Sequence, residues 1–316
     1  MSECKPELIT IVVPCYNEEE TIPLFLNKIT EIASGMPFAA FEFIFVDDGS
    51  HDGTLAVLRG VSKEDRRVRY ISFSRNFGKE AAMMAGLEAA KGDYVAVMDA
   101  DLQDPPELIP EMYEAIAKEG FDCVATRRVT RKGEAPVRSF FARMFYRLIR
   151  RISKTEIVDG ARDFRLMKRQ VADAVLSLPE CNRFSKGVFS WVGFRTKWIC
   201  YDNTPRSGGA TKWSFWKLFS YAVDGIIGFS TVPLAISSFF GLLFFFASIA
   251  GIIFVFTRRI LYGDPVAGWA STVCIVLFVS GIQLFCVSVL GQYMAKIYME
   301  TKKRPHYVIR ESGGGQ

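Results

Sequence analysis

Short apolar runs alternate with amphipathic stretches through the first two hundred positions of this chain, and from about position 230 the sequence turns almost wholly apolar. Runs at 8–14 (LITIVVP), 41–46 (FEFIFV), 68–73, 94–98 and 121–126 have the length and content of buried strands. Between them, 18–34, 53–64, 78–91 and 106–118 carry helical spacing, the first with acidic residues in its opening turn. This alternation predicts an α/β fold, a mostly parallel sheet with helices on both faces. In such sheets ligands collect outside the carboxyl ends of the strands. Asn17, Asp47, Asp48, Asp99 and Asp101 all fall at such ends, so one shared site is expected.

The middle of the chain follows another pattern. Val137, Phe140, Phe141, Met144, Phe145, Leu148, Ile149 and Ile152 form a helical stripe over 136–152, with five arginines on the other faces. Such a helix fits a membrane interface and equally a face packed on the sheet. A second amphipathic segment, 212–229, carries Trp213, Phe215, Trp216, Phe219 and Tyr221, a composition suited to the juxtamembrane zone. No charge occurs between Asp224 and Arg258, nor from Pro265 to Ala295. Segments 232–256 and 269–292 can each cross ~30 Å of hydrocarbon, so 230–295 is predicted to be a two-helix transmembrane hairpin. A globular domain at 1–211 precedes these elements, and a basic tail at 296–316 follows them. Lys212, Lys217, Lys296, Lys302, Lys303 and Arg304 flank the outer ends of the hairpin, against Arg258 and Arg259 in its loop. That excess predicts a multi-pass protein of the inner (plasma) membrane, with the globular domain and both termini cytoplasmic.

Composition narrows the partners. The net charge of +5 is modest, yet 127–154 holds ten Lys/Arg against Glu134 alone. That stretch suits phosphates or anionic headgroups, and also a plain solvated helix face. No nucleic-acid-binding motif accompanies it, so nucleic acid is not an expected partner. Seven cysteines without a C-x-x-C pair, and only two histidines, argue against a His/Cys zinc site and fit a reducing compartment. No apolar signal segment precedes the first strand.

Three short elements carry chemistry. Pro14-Cys15-Tyr16-Asn17-Glu18-Glu19 turns from a strand into a helix, and its freed amides suit a phosphate or a uracil ring. Asp47-Asp48-Gly49-Ser50 offers carboxylates to ribose hydroxyls or a base N–H, and reads equally as a simple turn. Asp99-Ala100-Asp101 places two carboxylates together, where a divalent cation would relieve their repulsion and grip a diphosphate. Each alone is common by chance. Three in order, each closing a strand, are specific.

Val13-Pro14-Cys15-Tyr16-Asn17-Glu18, Val46-Asp47-Asp48-Gly49-Ser50, Ser74-Arg75-Asn76-Phe77-Gly78-Lys79 and Met98-Asp99-Ala100-Asp101-Leu102-Gln103-Asp104-Pro105-Pro106 resemble glycosyltransferase family 2. Within it the chain is most similar to the polyprenyl-phosphate glycosyltransferases, relatives of dolichol-phosphate mannose synthase. Asp159-Gly160-Ala161-Arg162-Asp163-Phe164-Arg165-Leu166-Met167 and Arg206-Ser207-Gly208-Gly209-Ala210-Thr211-Lys212-Trp213 resemble acceptor-side motifs of that branch. The hairpin resembles that of the bactoprenol glucosyltransferases. The resemblance covers nearly the whole chain. It implies a GT-A fold (Rossmann-like), a UDP-linked sugar donor, Mg²⁺ or Mn²⁺, and an undecaprenyl-phosphate acceptor feeding cell-envelope glycans. Small residues in the spans, Gly241, Gly251 and Gly281, suit a homo-oligomer.

Carried over by position, donor contacts are implied for Pro14, Tyr16, Asn17, Glu18, Asp47, Asp48, Lys79, Asp99, Ala100, Asp101 and Gln103. Asp99, Asp101 and Gln103 form the implied metal set. Arg127, Arg131, Arg162, Arg165, Arg206 and Lys212 are implied phosphate or acceptor contacts, and Asp163, Asp101 and Arg206 the catalytic group. One motif departs from the family: Gly208-Gly209-Ala210-Thr211-Lys212-Trp213 stands where Gly-Glu-Ser-Lys-Tyr is usual. Asp163 matches the position of a proposed base, but a phosphate monoester with second pKa about 6 is already ionised near neutral pH. Orientation and charge balance are therefore expected of Asp163, with a structural salt bridge to Arg162 as the alternative. Glucose is the first expectation for the sugar, with N-acetylglucosamine, mannose, galactose and aminoarabinose-type sugars open. A processive synthase would carry Gln-x-x-Arg-Trp, which Arg195-Thr196-Lys197-Trp198 lacks. A non-catalytic lipid-sugar carrier would not need Asp99 and Asp101.

Overall fold

The structure, a computed structural model, describes residues 6–128, 158, 160–178, 180, 185–201, 232–262 and 268–315. The expected helices at 136–152 and 212–229, and Arg131, Arg206 and Lys212, lie outside the described residues. One compact unit contains the described residues up to 201 together with 305–315, and 232–304 form a second.

The first unit is built on an eight-stranded sheet. β1 (Glu7–Cys15), β2 (Ala39–Asp47), β3 (Val68–Phe73) and β4 (Tyr94–Val97) pair in parallel, in the order β4-β1-β2-β3. Their continuous apolar runs follow from burial on both faces: Ile11, Val12, Val13, Phe43, Ile44, Phe45, Val95 and Ala96 are inaccessible to solvent. β5 (Cys123–Arg128) and β7 (Thr196–Tyr201) also pair in parallel. β6 (Ala161–Lys168) lies antiparallel between β4 and β5, and β8 (Ile309–Gly314) lies antiparallel on β3. The sheet is thus mixed but mostly parallel, and β6, β7 and β8 extend it beyond the five strands expected.

Helices connect the parallel strands. α1 (Thr21–Ser34) buries Ile22, Phe25, Ile29 and Ala33, one face of a helix. It starts three residues later than its spacing suggests, and its first turn holds no acidic residue. Pro23 sits in that first turn, where its missing N–H costs nothing; a start at Glu18 would need that donor. The carbonyl of Glu18 instead accepts from Thr21 and Ile22. α2 (Thr54–Glu64) and α3 (Lys79–Ala89) follow. The stretch expected as one helix over 106–118 divides into a 3₁₀ turn, Pro106–Leu108, and α4 (Ile109–Glu119), because Pro110 is accommodated only in a first turn. α5 (Arg169–Leu176) and α6 (Ser185–Trp191) lie between β6 and β7.

The second unit is a helical hairpin. α7 (Val232–Tyr262) and α8 (Trp269–Thr301) contain segments long and apolar enough to cross a membrane. At 1.5 Å per residue α7 spans about 46 Å, more than a hydrocarbon core requires. The pair runs antiparallel, with Cys286 against the Ser237 carbonyl and the Phe244 and Phe278 rings 5.7 Å apart.

The expected basic tail takes a different form. α8 continues to Thr301, and β8 then closes the free edge of β3, whose unpaired amides and carbonyls would otherwise face solvent. Glu311 fixes it by accepting from Arg59 Nε (2.7 Å) and Nη2 (2.5 Å), and from the Tyr70 hydroxyl (3.2 Å).

Candidate active site

The carboxyl ends of β1, β2 and β4 lie side by side, with Cys15 opposite Asp47 and Val12 opposite Val97. The loops leaving β1 and β2 are stitched together. Asn17, at φ 56°, donates its amide to Ser50 Oγ (2.9 Å) and accepts from the His51 amide through Oδ1 (3.0 Å). The Glu18 amide donates to Thr54 Oγ1 (2.8 Å), and Glu19 accepts from the Gly53 amide (2.7 Å). Pro14 stays half-buried, while the Tyr16 ring is 41% exposed and edge-on to His51 at 6.5 Å. An open aromatic ring held beside strand ends is a surface on which a nucleobase can stack.

Asp47 and Asp48 behave differently. Asp47 is buried and its oxygens accept from the Ser50 amide (2.9 Å) and Ser72 Oγ (2.7 Å). Asp48 accepts from the Phe77 amide (2.7 Å) and the Gly78 amide (2.9 Å). Burial pushes its carboxyl above the ordinary range, against the pull of those two amides. Gly49 is required where it stands: at φ 66° a Cβ would lie 2.3 Å from the Arg75 carbonyl carbon. The turn after β2 therefore clamps the 74–78 loop that delivers Lys79.

Lys79 opens α3 and bridges two carboxylates that the sequence separates by 64 residues. Its Nζ lies 2.7 Å from Asp99 Oδ1 and 2.5 Å from Asp163 Oδ2. Burial works against the ammonium, but Asp163 and Asp99 outweigh it and hold Lys79 above the ordinary lysine range. Burial also opposes charge on Asp163, yet Lys79, with help from Lys186, holds that carboxyl well below the usual range. Asp99 moves the other way, raised by burial against the attraction of Lys79.

Beyond β4, Asp101 Oδ1 accepts from the Gln103 amide (3.1 Å), and Gln103 Oε1 accepts from Arg128 Nη2 (3.0 Å). That bond engages the Gln103 oxygen expected to face a metal. Ala100 is buried between the two aspartates. Asp104, also buried, accepts from Arg162 Nε (3.0 Å) and from the Tyr201 hydroxyl, while its second oxygen has no hydrogen-bond partner. Arg162 is therefore paired with Asp104 and not with Asp163, which removes the structural salt bridge considered for Asp163. Arg165 does not present itself to a phosphate. It is 3% exposed, lies 3.7 Å over the Phe189 ring, and donates to the carbonyls of Asp163 and Arg162. Arg127 is half-buried with an unpartnered Nε.

The structure thus brings Asp48, Lys79, Asp99 and Asp163 into one connected cluster, and adds Asp104, Arg128 and Tyr201, which sequence reasoning did not select. Asp104 lay within a quoted motif and Arg128 beside Arg127; Tyr201 carried no signal. Among the described residues no three His, Cys, Asp or Glu side chains gather as a ready-made metal cage. The donor set fits a different arrangement. Small divalent ions commonly take one or two carboxylates, with substrate phosphates and water completing the shell. Asp99 and Asp101, partly exposed at a strand end, would offer such a pair of hard oxygen donors, Asp99 sharing its oxygens with Lys79.

Comparison with known proteins bears on this cluster. Residues 10–176 match the family described as Glycosyl transferase family 2. The chain is 41% identical over 304 residues to the bactoprenol glucosyl transferase of Shigella phage SfX, covering 96% of this chain and 98% of that one. It is 40% identical over 307 residues to the prophage bactoprenol glucosyl transferase homolog of Escherichia coli K12, covering 96% and 98%. Among solved structures, glucosyl-3-phosphoglycerate synthase of Mycobacterium tuberculosis, in complex with Mn²⁺, UDP and phosphoglyceric acid, superimposes with a TM-score of 0.51. That likeness, at 20% identity, covers 70% of this chain and 76% of the other.

Proposed function

This chain belongs to glycosyltransferase family 2 and its globular unit has the GT-A fold, and on that premise we propose that it glucosylates undecaprenyl phosphate from UDP-glucose. The observation that carries the reading is the Lys79–Asp99–Asp163 cluster beside the adjoining ends of β1, β2 and β4, where open α/β sheets place their ligands. Tyr16 offers its open ring to the base, and Asp99 and Asp101 would hold Mg²⁺ or Mn²⁺ with the diphosphate. When bound, that cation supplies Lewis-acid neutralisation of the leaving diphosphate.

The chain's own groups account for the rest. A non-bridging oxygen of the lipid phosphate forms a bond to the anomeric carbon as the bond to the UDP oxygen breaks, and UDP leaves with the electron pair. One displacement inverts configuration, so an α-linked donor gives a β-linked lipid. A carboxyl held as low as that of Asp163 is a poor proton acceptor, and a dianionic phosphate needs none. Asp163 is better suited to fixing Lys79 and opposing charge at the sugar. Arg162, positioned by Asp104, and Arg127, with its unpartnered Nε, are the described cations proposed to meet a phosphate, and Arg206 and Lys212 complete the proposed acceptor side.

Membrane placement is supported by connectivity. The hairpin lies in the chain between β7 and β8, two strands of one sheet, which supports an even number of bilayer crossings between them. Together with the lysine and arginine flanks, this supports a multi-pass inner-membrane protein with its catalytic unit cytoplasmic. Self-association through the hairpin belongs to the same proposal, because among the described residues nothing lies within 4 Å of a Cβ placed at Gly241, Gly251 or Gly281. The test is direct: detergent-purified full chain, undecaprenyl phosphate, Mg²⁺ or Mn²⁺, and a panel of radiolabelled nucleotide sugars, followed by lipid extraction. Label entering the lipid from UDP-glucose is the expected result. A different labelled sugar would correct the donor, and no labelled lipid from any donor would overturn the reading.

A further inference from the structure

The segment that follows the hairpin reaches the candidate site through one tyrosine. Tyr307 stacks on Phe73, the last residue of β3, with ring centroids 4.8 Å apart and planes at 15°. Its hydroxyl donates to Glu88 on α3, and the neighbouring Val308 carbonyl accepts from the Ser74 amide (2.9 Å). Phe73 in turn meets the Phe77 ring edge-on at 5.8 Å, and the Phe77 amide donates to Asp48 (2.7 Å). Two residues later the chain delivers Lys79 to Asp99 and Asp163. The 74–78 loop is therefore held from one side by the turn after β2 and from the other by the segment downstream of α8. The β3–β8 register shifts between Ser72 and Phe73, where this hand-over occurs.

We infer that Tyr307 is a positioning residue for the nucleotide-sugar subsite: its ring fixes Phe73 and Phe77, and through them the Asp48 clamp and the Lys79 ammonium. This rests on the reading of the cluster as a donor site. The physical case is geometric. The stack and the edge-on contact both lie in series with the backbone that carries Lys79. Arg162, on the acceptor side, is held separately by Asp104.

The experiment compares the full-length wild type, Tyr307→Ala and Tyr307→Phe in detergent by lipid glucosylation kinetics and by calorimetric titration with UDP. Tyr307→Ala is expected to raise the KM for UDP-glucose and the Kd for UDP by about tenfold, with the undecaprenyl-phosphate KM unchanged. Tyr307→Phe keeps the ring and is expected to restore both to within about twofold. A merely structural loss would lower the active fraction and hence kcat while leaving both KM values alone. That pattern, equal rises in the two KM values, or an unaltered UDP Kd would overturn the proposal. If the wild type binds UDP but labels no lipid, the transfer reading fails while the UDP titrations still decide the role of Tyr307; if the wild type does not bind UDP, both fail.

Discussion

Replacing Lys79 by methionine removes the ammonium that bridges Asp99 and Asp163 while keeping most of the side-chain volume. The contacts are 2.7 and 2.5 Å. At an effective dielectric of 20 each would be worth about 6 kcal/mol, and at that of bulk water about 1.6 kcal/mol. The Lys79 side chain is 41% exposed, so solvent screening favours the lower figure. Two such contacts give roughly 3 kcal/mol, which corresponds to a loss of about a hundredfold in kcat/KM for the nucleotide sugar. The variant carries a second signature. Without the ammonium, the Asp163 carboxyl rises from its depressed position, because burial and Asp99 oppose its charge while only Lys186 and Arg165 still favour it. The acid limb of the pH–rate profile, set in the wild type by the acceptor phosphate near about 6, gains a second ionisation. Transfer kinetics of labelled glucose across that limb measure both effects. Retention of kcat/KM within about threefold, with an unchanged acid limb, would refute the reasoning and show that Lys79 withdraws from the carboxylates once the donor binds.

Asp101→Asn should raise the Mg²⁺ or Mn²⁺ concentration for half-activation by about tenfold, the equivalent of roughly 1.4 kcal/mol of lost attraction; full wild-type activity in EDTA would contradict the assignment of that carboxylate. Gly49→Ala must adopt φ 66° with its Cβ 2.3 Å from the Arg75 carbonyl carbon, so a lowered thermal midpoint and weakened UDP binding are expected by unfolding and calorimetry. An unaltered midpoint would show that the turn after β2 can yield. The Asp163 carboxyl is depressed in the folded state, so the stability it lends is fully present above its unfolded value near 3.9 and is lost as pH falls through the lower folded value. The difference in unfolding midpoint between wild type and Asp163→Asn should therefore stay constant from about pH 5 to 8 and close only in strong acid. A gap that varied across the neutral range would assign the stability to another group.

The sequence announces the parallel core of the sheet and the apolar hairpin because both rest on long, regular patterns of burial. β6 is less visible: Arg162, Asp163 and Arg165 interrupt its apolar residues, and Arg165 is tolerated in the interior only because Phe189 and two carbonyls receive it. β8 reads Ile309-Arg310-Glu311-Ser312-Gly313-Gly314, poor strand composition that the open edge of β3 overrides. At the site, motif order located the carboxylates, but partnership did not follow from it. Lys79 meets residues 20 and 84 positions away, and Asp104 captures Arg162 from 58 positions away. Asp47 and Asp48 are neighbours of identical chemistry; only the fold turns one toward Ser72 and the other toward the 77–78 amides.

The position of β8 also sets an order of assembly. The strand that covers β3 is made after both long apolar helices, 236 residues behind Phe73. At ordinary synthesis rates the edge of β3 therefore stays open for roughly 10 to 50 s. By the end of that interval the nascent chain has every other strand of the sheet and lacks only the one that follows Tyr307. The catalytic unit is thus completed only by a segment that emerges after the hairpin, which couples its maturation to the synthesis of its own anchor.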